Sequence, residues 1–159
     1  MLPQRITATI VSNKKAKFDY YTEDEYVAGM VLEGWEVKSL RAGKINLVDS
    51  HVIIKHGAAF LIGAQIQPLP TAAKYSYPDP TRSRKLLLHR RELKSLIGGI
   101  ERQGYTLIPL ELFWSNNYIK VKIALAKGKK NYDKRSDTKE REWQRDKSRL
   151  LKNKSLNSL

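Results

Sequence analysis

"YTLIPLELFWSNNYIKVKIALA", Tyr105–Ala126, decides the fold. Two runs rich in β-branched and aromatic residues flank a polar triplet, Ser115–Asn117, so the stretch predicts a β-hairpin. Its second arm alternates: Lys120 and Lys122 point one way, Val121 and Ile123 the other, the period of a strand with one buried face. The same signal recurs upstream. "SHVIIKHGAAFLIGAQI", residues 50–66, reads as another hairpin that turns at His56–Gly57. "ITATIVS", residues 6–12, is a β-branched strand, and Phe18–Thr22 and "EYVAGMVL" (25–32) are extended, with Gly29 marking a bulge or a close backbone approach.

The period changes twice. In "EGWEVKSLRAG", residues 33–43, Trp35 and Leu40 fall near one helical face and Gly43 is a C-terminal stop. In "RKLLLHRRELKSLIGGIERQG", residues 84–104, Leu93, Leu96, Ile97 and Ile100 follow helical spacing and Gly104 ends the run; Leu86–Leu88 fit either the helix or an extended lead-in. Residues 68–82 carry four of the six prolines and predict an exposed loop. About six strands and two helices without a βαβ repeat predict a mainly β fold, an OB-like antiparallel β-barrel over residues 1–126, an architecture that often binds oligonucleotides.

The chain has 159 residues and a net charge of +14. Half of that excess, +7, lies in residues 127–159, where 12 basic side chains meet 5 acidic ones. Such an imbalance points to nucleic acid or an anionic surface as partner. There is no cysteine, which excludes disulfides, thiolate metal sites and cysteine nucleophiles. No N-terminal signal and no apolar run of about 18 residues is present, so the expected location is the cytoplasm.

The basic segment 127–159 is set apart as a tail. From Asp137 to Lys154 it lacks Gly and Pro, and Asp137 with Glu140 three residues on is a candidate helix start. Trp143, Leu150 and Leu151 fall roughly together, but they are too few to anchor a helix alone. The tail is therefore expected to be disordered when free and helical when bound. A membrane partner is disfavoured, because that apolar face is too poor for insertion.

Catalysis finds little support. His51 and His56, five apart on one hairpin strand, point to opposite faces, and His89 sits near a helix start. The acidic "TEDE", residues 22–25, lies along one extended segment and does not converge on a metal. No phosphate-cradling glycine loop exists. The expectation is a non-enzyme with no cofactor and no metal, although a ribonuclease using His51 or His56 is the catalytic alternative. Basic clusters are plentiful: Lys14, Lys15 and Lys17 in "NKKAK", Arg41 and Lys44 in "RAGK", Arg82, Arg84 and Lys85 in "RSRK", then Lys120 and Lys122. Each alone is an ordinary solvated surface; together they form an RNA-binding footprint, with Tyr20, Tyr21, Tyr75, Tyr77 and Tyr132 available to stack on unpaired bases. From residues alone the reading is a basic β-barrel that binds RNA.

"GWEVKSLRAGKINLVDSHV", "DPTRSRKLLLHRREL" and "AKGKKNYDKRSDTKEREW" resemble the SsrA-binding protein (SmpB) family, and the resemblance runs from about Ala8 to Lys152. It implies an adaptor that binds the tRNA-like domain of transfer-messenger RNA and enters the vacant A site of stalled ribosomes, with the tail helical in the empty message channel. It also implies a monomer. It implies RNA contact at Asn13 and Leu87. It implies a ribosomal role for the tail base, Lys127, Gly128, Lys129, Lys130, Asp133, Lys134 and Arg135, and for Tyr132 on a decoding-centre base. Lys139, Arg141, Trp143, Leu150 and Leu151 belong to the same tail. One departure stands out: the position before Ala28, commonly Glu in the family, is Val27. The alternative is a general single-strand RNA-binding or ribosome-associated protein.

Overall fold

The computed structural model describes residues 8–72 and 78–157, without the side chains of 102, 103, 131, 132 and 153–157. The chain divides into two compact units, Met1–Lys127 and Gly128–Leu159.

In the first unit the elements run β1 (Ala8–Ser12), α1 (Lys14–Asp19), β2 (Tyr20–Met30), α2 (Gly34–Arg41), β3 (Ile45–Asn46), β4 (His51–Lys55), β5 (Ala58–Ile62), β6 (Gln65–Ile66), β7 (Arg84–Leu87), α3 (Arg90–Gln103), β8 (Thr106–Ser115) and β9 (Tyr118–Gly128). Six strands follow one another as β8-β4-β5-β7-β2-β9, and β9 pairs back onto β8, closing a ring. Strand β1 lies against the other half of β8, and β3 with β6 makes a separate two-stranded ribbon. A mainly β fold with flanking helices is thus what the sequence folds into.

Two tight turns set the registers. His56 and Gly57 have φ 51° and 73°, and Asn116 and Asn117 have φ 48° and 69°. Two consecutive positive φ values give the twist that joins neighbouring antiparallel strands through two residues. The β8–β9 register shifts between Pro109 and Glu111, where Leu110 is the extra residue. Pro109 has no N–H for the ladder, and a bulge is one of the few places in a sheet that accepts it. The bulge also reverses the facing of β8. Leu107 and Leu112, five apart, both enter the main core with Val121, Ile123 and Leu125 of β9. Ile108 and Leu110 instead join Ala124, Ala126 and Ala16 of α1 in a second cluster on the other face.

Helix α3 closes the main core with Leu96, fully buried, and with Leu93 and Ile100 packed against it. Its approach is tight at Gly99, where a Cβ would fall 2.8 Å from Leu125 Cδ1. Two expectations about boundaries change. The run from Arg84 is a strand before it is a helix: Arg84 and Leu86 point inward, and Leu86 pairs with Ala59 and Met30 on either side. Residues 14–19 form a helix that takes in Phe18 and Asp19, expected to be extended, because Asn13 caps it, its Oδ1 accepting from Ala16 N at 3.2 Å.

In the second unit, α4 spans Asn131–Asn157, starting six residues before the expected Asp137. Asp137 is not a cap. It lies inside the helix, where its carboxylate pairs with Lys129. Among the described residues no helix is long and apolar enough to cross a membrane.

Candidate nucleic-acid interface

The ring brings several of the sequence-derived residues onto one outer face, made by β7, β2 and β9. Inward-facing Ala28 and Leu86 leave Val27 and Gly29 of β2, Val31 just after it, and Lys85 and Leu87 of β7 on the opposite side. Gly29 pairs with Leu87 in register. A Cβ at Gly29 would sit 3.4 Å from Leu87 Cβ and 3.7 Å from Lys120 Nζ, so Leu87 and Lys120 lie on either side of this residue. Leu87 is 55% exposed and Val31 45%, unusual for apolar side chains on a ring of this kind. Beside them a shallow hollow is floored by Met30, Leu32, Val37 and Trp114. Arg41 lies over the Trp114 ring, 5.9 Å from its centroid. Apolar area bordered by lysines suits a ribose or base packed flat, with phosphates at the rim. Val27, half-buried, falls on this face.

Other basic residues lie elsewhere. Lys14, Lys15 and Lys17 are exposed on α1. Lys15 Nζ is 3.0 Å from Asp49 Oδ1, and that hydrogen bond, with the Asp49 charge, raises its pKa above 10.5. Tyr20 packs against the second cluster. Lys44 is exposed beside β3, and Lys122 pairs with Glu111 at 3.3 Å.

Two expected contact residues turn out to be interior. Asn13 is 4% exposed, with Nδ2 donating to Leu47 O (3.3 Å) and Pro109 O (3.2 Å) and its backbone N–H donating to Leu110 O (2.7 Å). It thus ties the β8 bulge to the segment before β4 and to α1. Arg84 has no exposed area. Its Nε donates to Glu36 Oε2 (2.5 Å), Nη1 to Ala64 O (2.7 Å) and Nη2 to Pro80 O (3.0 Å). Glu36, equally buried, also accepts from Arg82 Nη2 (2.5 Å) and from Glu33 N (2.8 Å). Arg82 is partly exposed and donates as well to Val31 O at 3.3 Å. Neither Asn13 nor Arg84 has a surface to offer an RNA. The ion pair needed knowledge of a contact 48 residues apart, and no local signal announces it; Asn13, three residues before a helical Ala16, could have been read as a cap.

The catalytic alternative gains nothing from the geometry. His51 and His56 are exposed at opposite ends of β4, and His89 is the N-cap residue of α3. The acidic residues of β2 are exposed, and Glu23 accepts from the Tyr105 hydroxyl at 2.7 Å, which raises that phenol above 10.0. Among the described residues no group of acidic, histidine or cysteine side chains converges as a metal would require.

Lys127, the last residue of the first unit, is exposed; in the tail unit Gly128, Lys130, Arg135, Lys139 and Arg141 are exposed, and Lys129, Asp133 and Lys134 are half-buried. Trp143, Leu150 and Leu151 are 64%, 64% and 61% exposed. Spacings of seven and eight place these three on one face of α4. The Tyr132 side chain, and Tyr75 and Tyr77, lie outside the described residues.

The family model described as SmpB protein matches residues 10–153. A solved chain described as "tmRNA-SmpB: a journey to the center of the bacterial ribosome" is 42% identical. That match covers 76% of this chain and 85% of the other, with a TM-score of 0.63.

Proposed function

The chain belongs to the SmpB family, and from that premise we propose that it binds the tRNA-like domain of transfer-messenger RNA and delivers it to the vacant A site of stalled bacterial ribosomes. There the RNA accepts the stalled peptide and supplies the frame for a degradation tag. The observation that carries this reading is the 42% identity, over most of both chains, to a chain solved as tmRNA–SmpB. The outer face around Leu87 supports it physically, because exposed apolar side chains between Lys85 and Lys120 are what a folded RNA surface requires.

Roles divide by location. Lys85, Leu87 and Lys120 touch the RNA, joined by the exposed Lys14, Lys17, Arg41 and Lys44. Asn13 and Arg84 hold those surfaces in place from inside. The tail, residues 127–159, carries +7 and lies in the phosphate-lined message channel as the helix α4, which orders on entry and is excluded when message is present. Trp143, Leu150 and Leu151 add apolar contacts there. The protein acts in the cytoplasm as a monomer and makes or breaks no bond itself.

Competition binding tests this reading. Unlabelled transfer-messenger RNA displaces the labelled tRNA-like domain at concentrations where ordinary structured RNA does not. Equal displacement by any structured RNA would instead identify a general RNA-binding protein, and cleavage of labelled RNA by the pure protein would identify a ribonuclease.

A further inference from the structure

The β3–β6 ribbon carries a second, chemically different surface. Ile45 pairs with Ile66 and Asn46 with Gln65. Gln67 N donates to Lys44 O at 3.0 Å, so Lys44 and Gln67 are the next cross-strand pair. Ile66 is fully buried and Ile45 half-buried, which leaves the two flanking pairs facing out. The outer face is a compact square of Lys44, Asn46, Gln65 and Gln67, all exposed. With Gly43 and Pro80 they line a hollow of about 500 Å³, within the roughly 300–1,000 Å³ range of ligand sites.

This square is rigidly mounted. Pro80 O accepts from Ile66 N at 2.9 Å and from Arg84 Nη2 at 3.0 Å. Arg84 Nη1 holds Ala64 O, next to Gln65. The buried Arg84–Glu36 pair therefore fixes both the floor strand and the Pro80 wall. Among the described residues, neither glutamine side chain takes part in a hydrogen bond, and Asn46 uses only its Oδ1, which accepts from Val48 N at 2.9 Å. Two amide groups with free donors and acceptors and a third with its donors free, beside one ammonium, on a hydrogen-bonded frame, match the edge of a base and its phosphate. An amide can meet a base edge with a donor and an acceptor at once, whereas a lysine reads only charge.

We propose that the Lys44–Asn46–Gln65–Gln67 face of the β3–β6 ribbon is a base-reading subsite that takes one unpaired nucleotide of the tRNA-like RNA, the amides on the base edge and Lys44 on its phosphate. It rests on the proposed function and names a specificity element distinct from the apolar Leu87 face.

The test compares the full chain with its Gln65→Ala/Gln67→Ala and Lys44→Gln variants in equilibrium binding to the tRNA-like RNA across a salt series. Chemical probing of the bound RNA accompanies it. The double alanine variant loses about tenfold or more in affinity at unchanged salt slope, because amides release no counterions. Its loss of protection is confined to one or two unpaired nucleotides. Lys44→Gln lowers the salt slope by about 1. Both changes are on the exposed ribbon face, and an unchanged thermal midpoint certifies folding; should the alanine pair unfold the ribbon, Gln65→Met, which keeps the side-chain length and adds no charge, replaces it and must weaken binding likewise at unchanged salt slope. Affinity within about twofold of the parent, or a lowered salt slope for the amide variants, overturns the subsite while leaving the proposed function intact. Failure of the unmodified chain to bind the RNA would instead overturn the reading on which the subsite rests.

Discussion

Replacing Glu36 by Gln separates a buried charge from its partner. Glu36 and Arg84 both have no exposed side-chain area, and the carboxylate also receives Arg82 and the Glu33 backbone. With glutamine in place the Arg84 guanidinium keeps Ala64 O and Pro80 O but loses its counter-charge. Breaking a buried pair from one side costs about 3–5 kcal/mol, against a total stability of about 5–15 kcal/mol for a domain. At a urea dependence of about 2 kcal/mol per molar, the midpoint falls by roughly 1.5–2.5 M. Arg84→Met costs less, since Glu36 keeps Arg82 and the Glu33 N–H while Ala64 O and Pro80 O lose their donor. Combining Glu36→Gln with Arg84→Met costs less than the sum of the two, because neither variant charge is left alone. Arg82→Ala, at the partly exposed edge of the cluster, costs about 1 kcal/mol. Urea unfolding of the four variants measures all of this. A loss below about 1 kcal/mol for Glu36→Gln would show that the ion pair is not the tie described here. In RNA binding, the still-folded Arg84→Met protein keeps the parental salt slope, whereas Lys85→Ala lowers it by about 1; the reverse would place Arg84 on the RNA.

Gly99→Ala brings a Cβ to 2.8 Å from Leu125 Cδ1, and the overpacking of about 1–3 kcal/mol is offset by about 1 kcal/mol of helix propensity, so the net loss in thermal or urea unfolding is about 0–2 kcal/mol. Tyr105 titrates above 10.0 because its hydroxyl donates to Glu23. The folded form then holds its proton longer than the unfolded chain, so this contribution is complete below the ordinary tyrosine pKa and fades as pH rises through the folded value. NMR titration of labelled tyrosine in Glu23→Ala returns Tyr105 towards its ordinary value. Leu150→Ser with Leu151→Ser leaves affinity for the transfer-messenger RNA within about 0.5 kcal/mol but sharply reduces tag addition on stalled ribosomes; normal tagging by that variant would remove these leucines from the mechanism.

The hairpins were legible because their signals are local. "SNN" between alternating arms and "HG" between apolar ones fix both turn and register within a few residues. Helix α1 was hidden because lysines dominate its six residues, and only the Asn13 cap distinguishes it from a charged loop. Strand β7 was left open because "RKLL" suits a helix or a strand; its inward-facing arginine makes sense only beside Glu36, 48 residues earlier. The same non-locality hid that Arg84, read as part of a basic cluster, is buried, and Asn13, for which the resemblance implied RNA contact, is buried too. Sequence treats a basic or amide residue as exposed by default, and only the packed ring shows that these two are interior. Leu87 illustrates the opposite case. An apolar residue in an apolar run reads as core, and its exposure follows from β7 facing Leu86 inward. The amide square on the β3–β6 ribbon was invisible because its four residues come from two segments about twenty apart.

The most direct measurement is tag addition to stalled ribosomes by the full chain and by a chain ended at Lys130, with binding to transfer-messenger RNA measured in the same preparations. The truncated chain binds the RNA as the full chain does and adds no tag, because what it lacks is α4, the part proposed to enter the message channel. Normal tagging by the truncated chain would contradict this role and reduce the charged helix to an electrostatic accessory.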